Sequence, residues 1–206
     1  MSEGTLAIQP GTVVVFEGLD RTGKSTQLSR LRAALVRESA VFAHMPQGFG
    51  RFTERVYAAL EGETLDEKPS SGLAQQLAHL ACHAESIRRL TESAASSALV
   101  LDRWWWSTLA YGWYGGSVEQ SGLSEASFRD LIDTIRSPIV PSVVFVFLEP
   151  HQLDSNNNKG VEAGYRALIE QHPDVAVVVH SDSEDAVHAL VVETLSERGL
   201  ASGQGQ

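Results

Sequence analysis

The sequence predicts an α/β fold, with a central parallel sheet of about five strands flanked by helices on both faces. Two observations predict it. Apolar, β-branched runs alternate with helix-period patterns along most of the 206 residues. The first strong run, Val13-Val14-Val15-Phe16, also leads through a glycine-bounded turn into a helical pattern that sets Leu28, Leu31 and Leu35 on one face.

Taken in order, strands are expected near 12–17, 40–44, 98–102, 142–148 and 175–179. Helices are expected near 24–38, 51–61, 72–96, 104–114, 124–136, 160–171 and 183–198. Asp182-Ser183 before Glu184-Asp185 reads as a helix start with carboxylates in its first turn. Residues 1–11 read as a flexible arm and 199–206 as a flexible tail, around a single domain over 12–198. Within it the polar, Asn-rich stretch near 152–160 reads as a short mobile lid. In such sheets ligands bind beyond the C-terminal strand ends, so the tips after Phe16, His44, Leu101 and Leu148 are the places to look.

A net charge of −10 argues against a nucleic-acid partner, because a polyanion would be repelled. One cysteine, Cys82, leaves no internal disulfide and suits a reducing compartment. No basic start followed by an apolar run resembles a signal peptide, and no apolar stretch approaches the roughly 20 residues a membrane span requires. A cytoplasmic protein with no membrane partner is expected.

From Gly18 to Ser25 the chain spells G-x-x-x-x-G-K-[ST] between a strand and a helix, the context in which this pattern binds phosphate as a P-loop. Unpaired amides and a helix dipole favour an anion, so Gly18, Leu19, Asp20, Arg21, Thr22, Gly23, Lys24, Ser25 and Thr26 would cradle the phosphates of a nucleoside triphosphate. Lys24 would bridge the outer phosphates and Ser25 would hold Mg²⁺. A P-loop NTPase fold follows. The strand 98–101 then ends in Asp102-Arg103: the carboxylate can orient a magnesium-bound water, and the guanidinium offers a planar fork to phosphate. A structural Asp–Arg pair capping the next helix is the plain alternative.

Phe16 to Thr26 resembles the F-E-G-x-D-x-x-G-K-S-T loop of the thymidylate kinase family. Asp102 to Tyr111 is similar to that family's D-R-Y-x-x-S-x-x-A-Y, with Trp104 in place of the Tyr. Val161 to Tyr165 resembles its V-R-x-G-Y without the Arg. The resemblance implies phosphoryl transfer from MgATP to a deoxypyrimidine monophosphate, and a homodimer. It implies that Asp20 bonds the deoxyribose 3′-hydroxyl and that Arg103 binds the acceptor phosphate. Because 152–160 contains no Arg and only Lys159, Arg21 would have to neutralise the charge developing on the transferred group. The catalytic set is then Lys24, Arg21, Arg103 and Asp102.

Elsewhere the chain departs from the family. Arg51 is displaced from the arginine that grips the monophosphate, and is either a phosphate ligand or a solvated helix-start residue. His79 and His83 fall where a base-stacking Phe and a base-bonding Arg are expected, on one helical face. They imply a relaxed base pocket or one suited to a modified pyrimidine; partly buried structural histidines and a metal pair are the other readings. Trp104, Trp105 and Trp106 would point about 100° apart on a helix and so could not all face the core. Either one or two of them are core and the rest lie at a dimer contact, or Trp104 offers a flat face to the base, with Tyr111 a second candidate at the nucleoside end. Two rivals stand: a deoxynucleoside kinase, for which Glu17 is the obvious base, and a non-catalytic nucleotide-binding relative.

Overall fold

In the computed structural model, which describes residues 6–62, 69–180 and 182–203, the strands are β1 (Leu6–Ile8), β2 (Val13–Gly18), β3 (Ala40–His44), β4 (Ala98–Asp102), β5 (Val143–Phe147), β6 (Ala176–Val179) and β7 (Ala201–Gly203). The helices are α1 (Lys24–Ala34), α2 (Arg51–Glu61), α3 (Gly72–Ala94), α4 (Trp105–Leu109), α5 (Glu125–Arg136), α6 (Lys159–Gln171) and α7 (Glu184–Glu197). Five strands form a parallel sheet in the order β3-β4-β2-β5-β6, as expected.

β2 lies at the centre and is buried along its whole length. Because side chains alternate across a strand, its residues divide between two cores. Val13 and Val15 join Leu99, Leu101, Val144 and Val146 under α3, α4, α5 and α6. Val14 and Phe16 join Val100, Phe145 and Phe147 under α1 and α7. Two apolar faces explain why the strand reads as a continuous hydrophobic run rather than an alternation.

Three expectations require correction. The arm and tail are not wholly loose: Leu6–Ile8 pairs antiparallel with Ala201–Gly203. Leu6 and Ile8 face the α1/α7 core, an alternation too short to be read in isolation. Residues 1–5 and 204–206 lie outside the described part. α1 ends at Ala34, short of 38, because Leu35 turns extended and bridges Leu6.

The helix expected over 104–114 is broken. Trp104 has extended backbone, α4 follows, and Ala110–Tyr114 form a π-helical turn closed by Gly115 N–H donating to the Ala110 carbonyl at 2.7 Å. With Trp104 outside the helix and α4 wedged among its neighbours, all three tryptophans are buried, at 1%, 6% and 2% exposure. The 100° argument fails because it assumed one exposed face.

Truncating Ile8 to Ala should cost about 2–4 kcal/mol in urea denaturation, the usual range for a buried isoleucine. A loose arm would lose less than about 0.5 kcal/mol.

Candidate active site

The loop after β2 turns where only glycine fits. Gly18 has φ +127°, and a Cβ there would sit 2.0 Å from the Phe147 carbonyl oxygen. Gly23 precedes α1 with φ +87° and contributes no side-chain cap, and the first turn carries no acidic residue. The first amides of α1 are therefore left for an incoming anion.

A cleft of about 400 Å³ opens above this loop, lined by residues 20–26 with His44, Asp102, Arg103, His151 and Gln152. It lies at the C-terminal strand ends, where the register brings Phe16, Asp102 and His44 side by side. Parity sends Asp102 to the same face as Val100, towards α1, and Glu17 to the opposite face with Val15.

Lys24 is 6% exposed and folded back, its ammonium donating to the Leu19 carbonyl and to Thr22 Oγ1 at 3.2 Å. Burial, reinforced by the nearby Arg103 charge, lowers its pKa to about 7. Ser25 is exposed. Burial alone would raise Asp102, but the His44 hydrogen bond at 2.9 Å and the charges of Arg103 and Lys24 outweigh it, holding the carboxyl below its ordinary value. A hydroxyl and an ionised carboxylate on one cleft are oxygen donors that fit Mg²⁺, which takes few protein ligands beside phosphates. No group of three or more His, Cys, Asp or Glu that could hold a metal occurs among the described residues.

Arg103 has φ +65° and Arg21 φ +62°, left-handed values that non-glycine residues rarely adopt. The Arg103 fork is already filled: Nη1 donates to the Gly18 carbonyl at 2.9 Å, Ser107 Oγ at 2.9 Å and Tyr165 Oη at 3.3 Å, and Nη2 pairs with Asp20. Tyr111 lies with its ring 5.3 Å from the guanidinium carbon. Arg21 is exposed and faces Asp154 at 3.5 Å.

Residues beyond the sequence motifs complete the cleft. Asn157 Oδ1 accepts from Asp20 N–H at 2.8 Å and its Nδ2 donates to the Asp20 carbonyl at 2.9 Å. The His151 N–H donates to the Arg21 carbonyl at 2.8 Å. The polar stretch expected to be a mobile lid is thus stitched to the loop. Asn157 lies in the stretch the sequence marked as a lid, whereas His151 carried no signal.

Glu17 is fully buried. Its carboxylate accepts from Trp104 N–H at 2.8 Å, Ser107 N–H at 3.1 Å, Ser107 Oγ and Tyr165 Oη at 3.2 Å. Burial raises its pKa against those hydrogen bonds. It has no open path to a substrate hydroxyl.

The base-pocket expectations fare unevenly. His83 is 4% exposed, bonded at 3.3 Å to Thr108 Oγ1 and edge-on to Trp104 at 4.9 Å. Trp104 is sealed in the core and offers no free face, correcting the expectation of a base platform. His79 is half-buried near Arg103, and burial followed by that charge lowers its pKa to about 4, leaving a neutral ring. Arg51 is exposed at the start of α2, outside the cleft lining.

Because an ATP phosphate would draw Lys24 back to its charged form, nucleotide binding at pH 8 should take up close to one proton. The uptake should fall at pH 6, where Lys24 is already charged. Calorimetry in buffers of differing ionisation enthalpy reads this, and Lys24→Ala should abolish it.

The thymidylate kinase family model matches residues 16–130, more than half of the chain. Thymidylate kinase of Chlorobium luteolum is 27% identical over 216 residues, covering 90% of this chain and 97% of that protein. The Solidesulfovibrio magneticus enzyme is 29% identical over 208 residues, covering 86% and 95%. Among solved structures, thymidylate kinase of Ehrlichia chaffeensis superposes with a TM-score of 0.69 at 22% identity, covering 90% of this chain and 98% of that one. The Candida albicans enzyme gives 0.67 at 20% identity, covering 94% and 96%. These two share the fold. With a P-loop, an Asp–Arg strand tip and a family match across both, the chain belongs to the thymidylate kinase family.

Proposed function

We propose that the chain transfers the γ-phosphoryl group of MgATP to the phosphate of thymidylate, or of a closely related deoxypyrimidine monophosphate, giving the diphosphate. The observation that carries this reading is the meeting of Lys24, Ser25, Arg21, Asp102 and Arg103 around one cleft at the end of β2.

ATP lies with its phosphates over residues 18–26, in reach of the free amides at the start of α1. Lys24 leaves the Leu19 carbonyl for the outer phosphates and regains its charge. Ser25 and, through water, Asp102 would hold Mg²⁺, which would supply charge neutralisation at the phosphates. On the acceptor side, the monophosphate replaces Asp20 on the Arg103 fork. That exchange frees Asp20 for the sugar 3′-hydroxyl while keeping the buried guanidinium paired. Arg21 leaves the exposed Asp154 contact, which is worth little, and meets the charge that develops on the transferred group.

No general base is required, because the attacking phosphate oxygen is already ionised. The deoxynucleoside kinase alternative needs one, and sealed Glu17 speaks against it. The base is read without a guanidinium at the position of buried His83; neutral His79, possessing one donor and one acceptor, is the remaining candidate in a pocket tolerant of the pyrimidine 5-substituent. Arg51 serves the acceptor phosphate only if α2 moves towards the cleft. Tyr111 lies against the nucleoside end. A homodimer agrees with the family relationship. A cytoplasmic setting agrees with the buried free thiol of Cys82 and with the described residues, none of whose helices is long and apolar enough to cross a membrane.

Coupled ADP release should show turnover of thymidylate, weaker turnover of deoxycytidylate and none of thymidine, with Lys24→Ala as the blank. Arg21→Ala should lower kcat on the order of 10³-fold. ATP binding with no turnover of any acceptor would refute the catalytic reading.

A further inference from the structure

His44 is named by none of the sequence motifs, yet it is placed as firmly as any residue in the cleft. It ends β3 in register with Asp102 at the end of β4, so both side chains leave the sheet on the α1 face. Its Nδ1 lies 2.9 Å from Asp102 Oδ2, and its Nε2 lies 3.1 Å from the Tyr57 hydroxyl on α2, with the two rings edge to face at 5.5 Å.

The chemistry of the partners orders these contacts. An ionised carboxylate only accepts, so Nδ1 carries a proton and donates it to Asp102. Nε2 is left to accept from Tyr57. Burial, with the Glu61 charge next, raises the Tyr57 pKa to about 12, so it remains a phenol with a proton to give. The donors therefore run in one direction, Tyr57 to His44 to Asp102. The effect is to hold Oδ2 of a carboxylate that lines one cleft with Ser25, leaving its other oxygen without a bond to His44. A short carboxylate without such a brace turns freely about its side-chain bonds.

We propose that His44 is a positioning residue for magnesium. It fixes the Asp102 carboxylate for the metal-bound water, and Tyr57 in turn fixes the His44 ring. This rests on the reading of Asp102 as a magnesium-holding group. It also links α2, which follows the loop after β3, to the metal side of the cleft. Partners of this kind typically change metal affinity 10–100-fold when removed.

The test is the gain in ATP affinity conferred by Mg²⁺, measured by calorimetry with Mg²⁺ and with EDTA on the full chain. In His44→Phe this gain should shrink about tenfold, while the affinity for metal-free ATP stays as in the unaltered chain. His44→Asn should keep the gain, because its amide N–H can stand where Nδ1–H stood. Tyr57→Phe, which removes one hydroxyl, should lose about threefold and serves if His44→Phe does not fold. If Asp102→Asn loses the gain and neither His44→Phe nor Tyr57→Phe does, the inference is wrong while the reading of Asp102 stands. An equal loss of metal-free ATP affinity would reduce His44 to a structural part and also overturn the inference. If Asp102→Asn keeps the gain, the reading of Asp102 falls and His44 with it.

Discussion

A carboxylate buried at the end of the central strand is the constraint on which the site depends. Glu17 lies one residue before the phosphate loop, on the face opposite Phe16, with no exposed surface. Burying an ionisable group there is tolerable only if its oxygens are satisfied. They are, by Trp104 N–H, the Ser107 amide and hydroxyl, and the Tyr165 hydroxyl. Those donors come from the start of α4 and from α6, so satisfying Glu17 ties two separate segments to the end of β2. The same atoms then hold Arg103: its Nη1 donates to Ser107, Tyr165 and the Gly18 carbonyl. The residue expected to meet the acceptor phosphate is aimed by a network whose centre is a carboxylate that never meets a substrate.

The second constraint acts from the other side of the loop. Arg21 is held in a left-handed backbone conformation that costs on the order of 1 kcal/mol or more for a residue with a Cβ. Such a conformation persists when its neighbours over-determine it. Here they are Asn157, which grips both backbone groups of Asp20, and the His151 amide on the Arg21 carbonyl. The chain between β5 and α6 lacks an arginine of its own, yet it shapes the loop that carries one. On the proposed reading, this segment would contribute to charge neutralisation by holding Arg21 rather than by supplying a guanidinium.

How much of this was legible in the sequence follows from the range of each signal. The five parallel strands and the positions of most helices were readable because buried runs, helix periodicity and Ser or Asn caps are local. The phosphate loop was readable because its glycines answer to local backbone geometry at Gly18 and Gly23. His44, Tyr57 and Asn157 were not. His44 faces Asp102 only because β3 and β4 pair in a given register, and Asn157 reaches a loop 137 positions away. The tryptophans were misread for a related reason. Their spacing says how they diverge on a helix, whereas burial depends on how many neighbours surround that helix. The weak strand at Leu6–Ile8 was invisible because its partner stands at the other end of the chain.

The electrostatics of the cleft join these constraints to the chemistry. Across the whole chain the balance is −10, which would repel a nucleotide. Inside the cleft Lys24, Arg21 and Arg103 gather within one loop and one strand tip, and the chain must accommodate that crowding. It does so with a different device at each cation. Arg103 cannot give up its proton and therefore takes Asp20 as a counter-ion. Arg21 is exposed and is dielectrically screened, with Asp154 as a weak partner. Lys24, buried beside Arg103, is the one that yields, its pKa drawn down towards neutrality. On the proposed reading each device would be undone by phosphate: a triphosphate would restore the charge on Lys24, a monophosphate would take the place of Asp20, and the transferred group that of Asp154. Asp20, Asp154 and the lowered pKa of Lys24 thus balance the same crowding that the substrates would relieve on that reading.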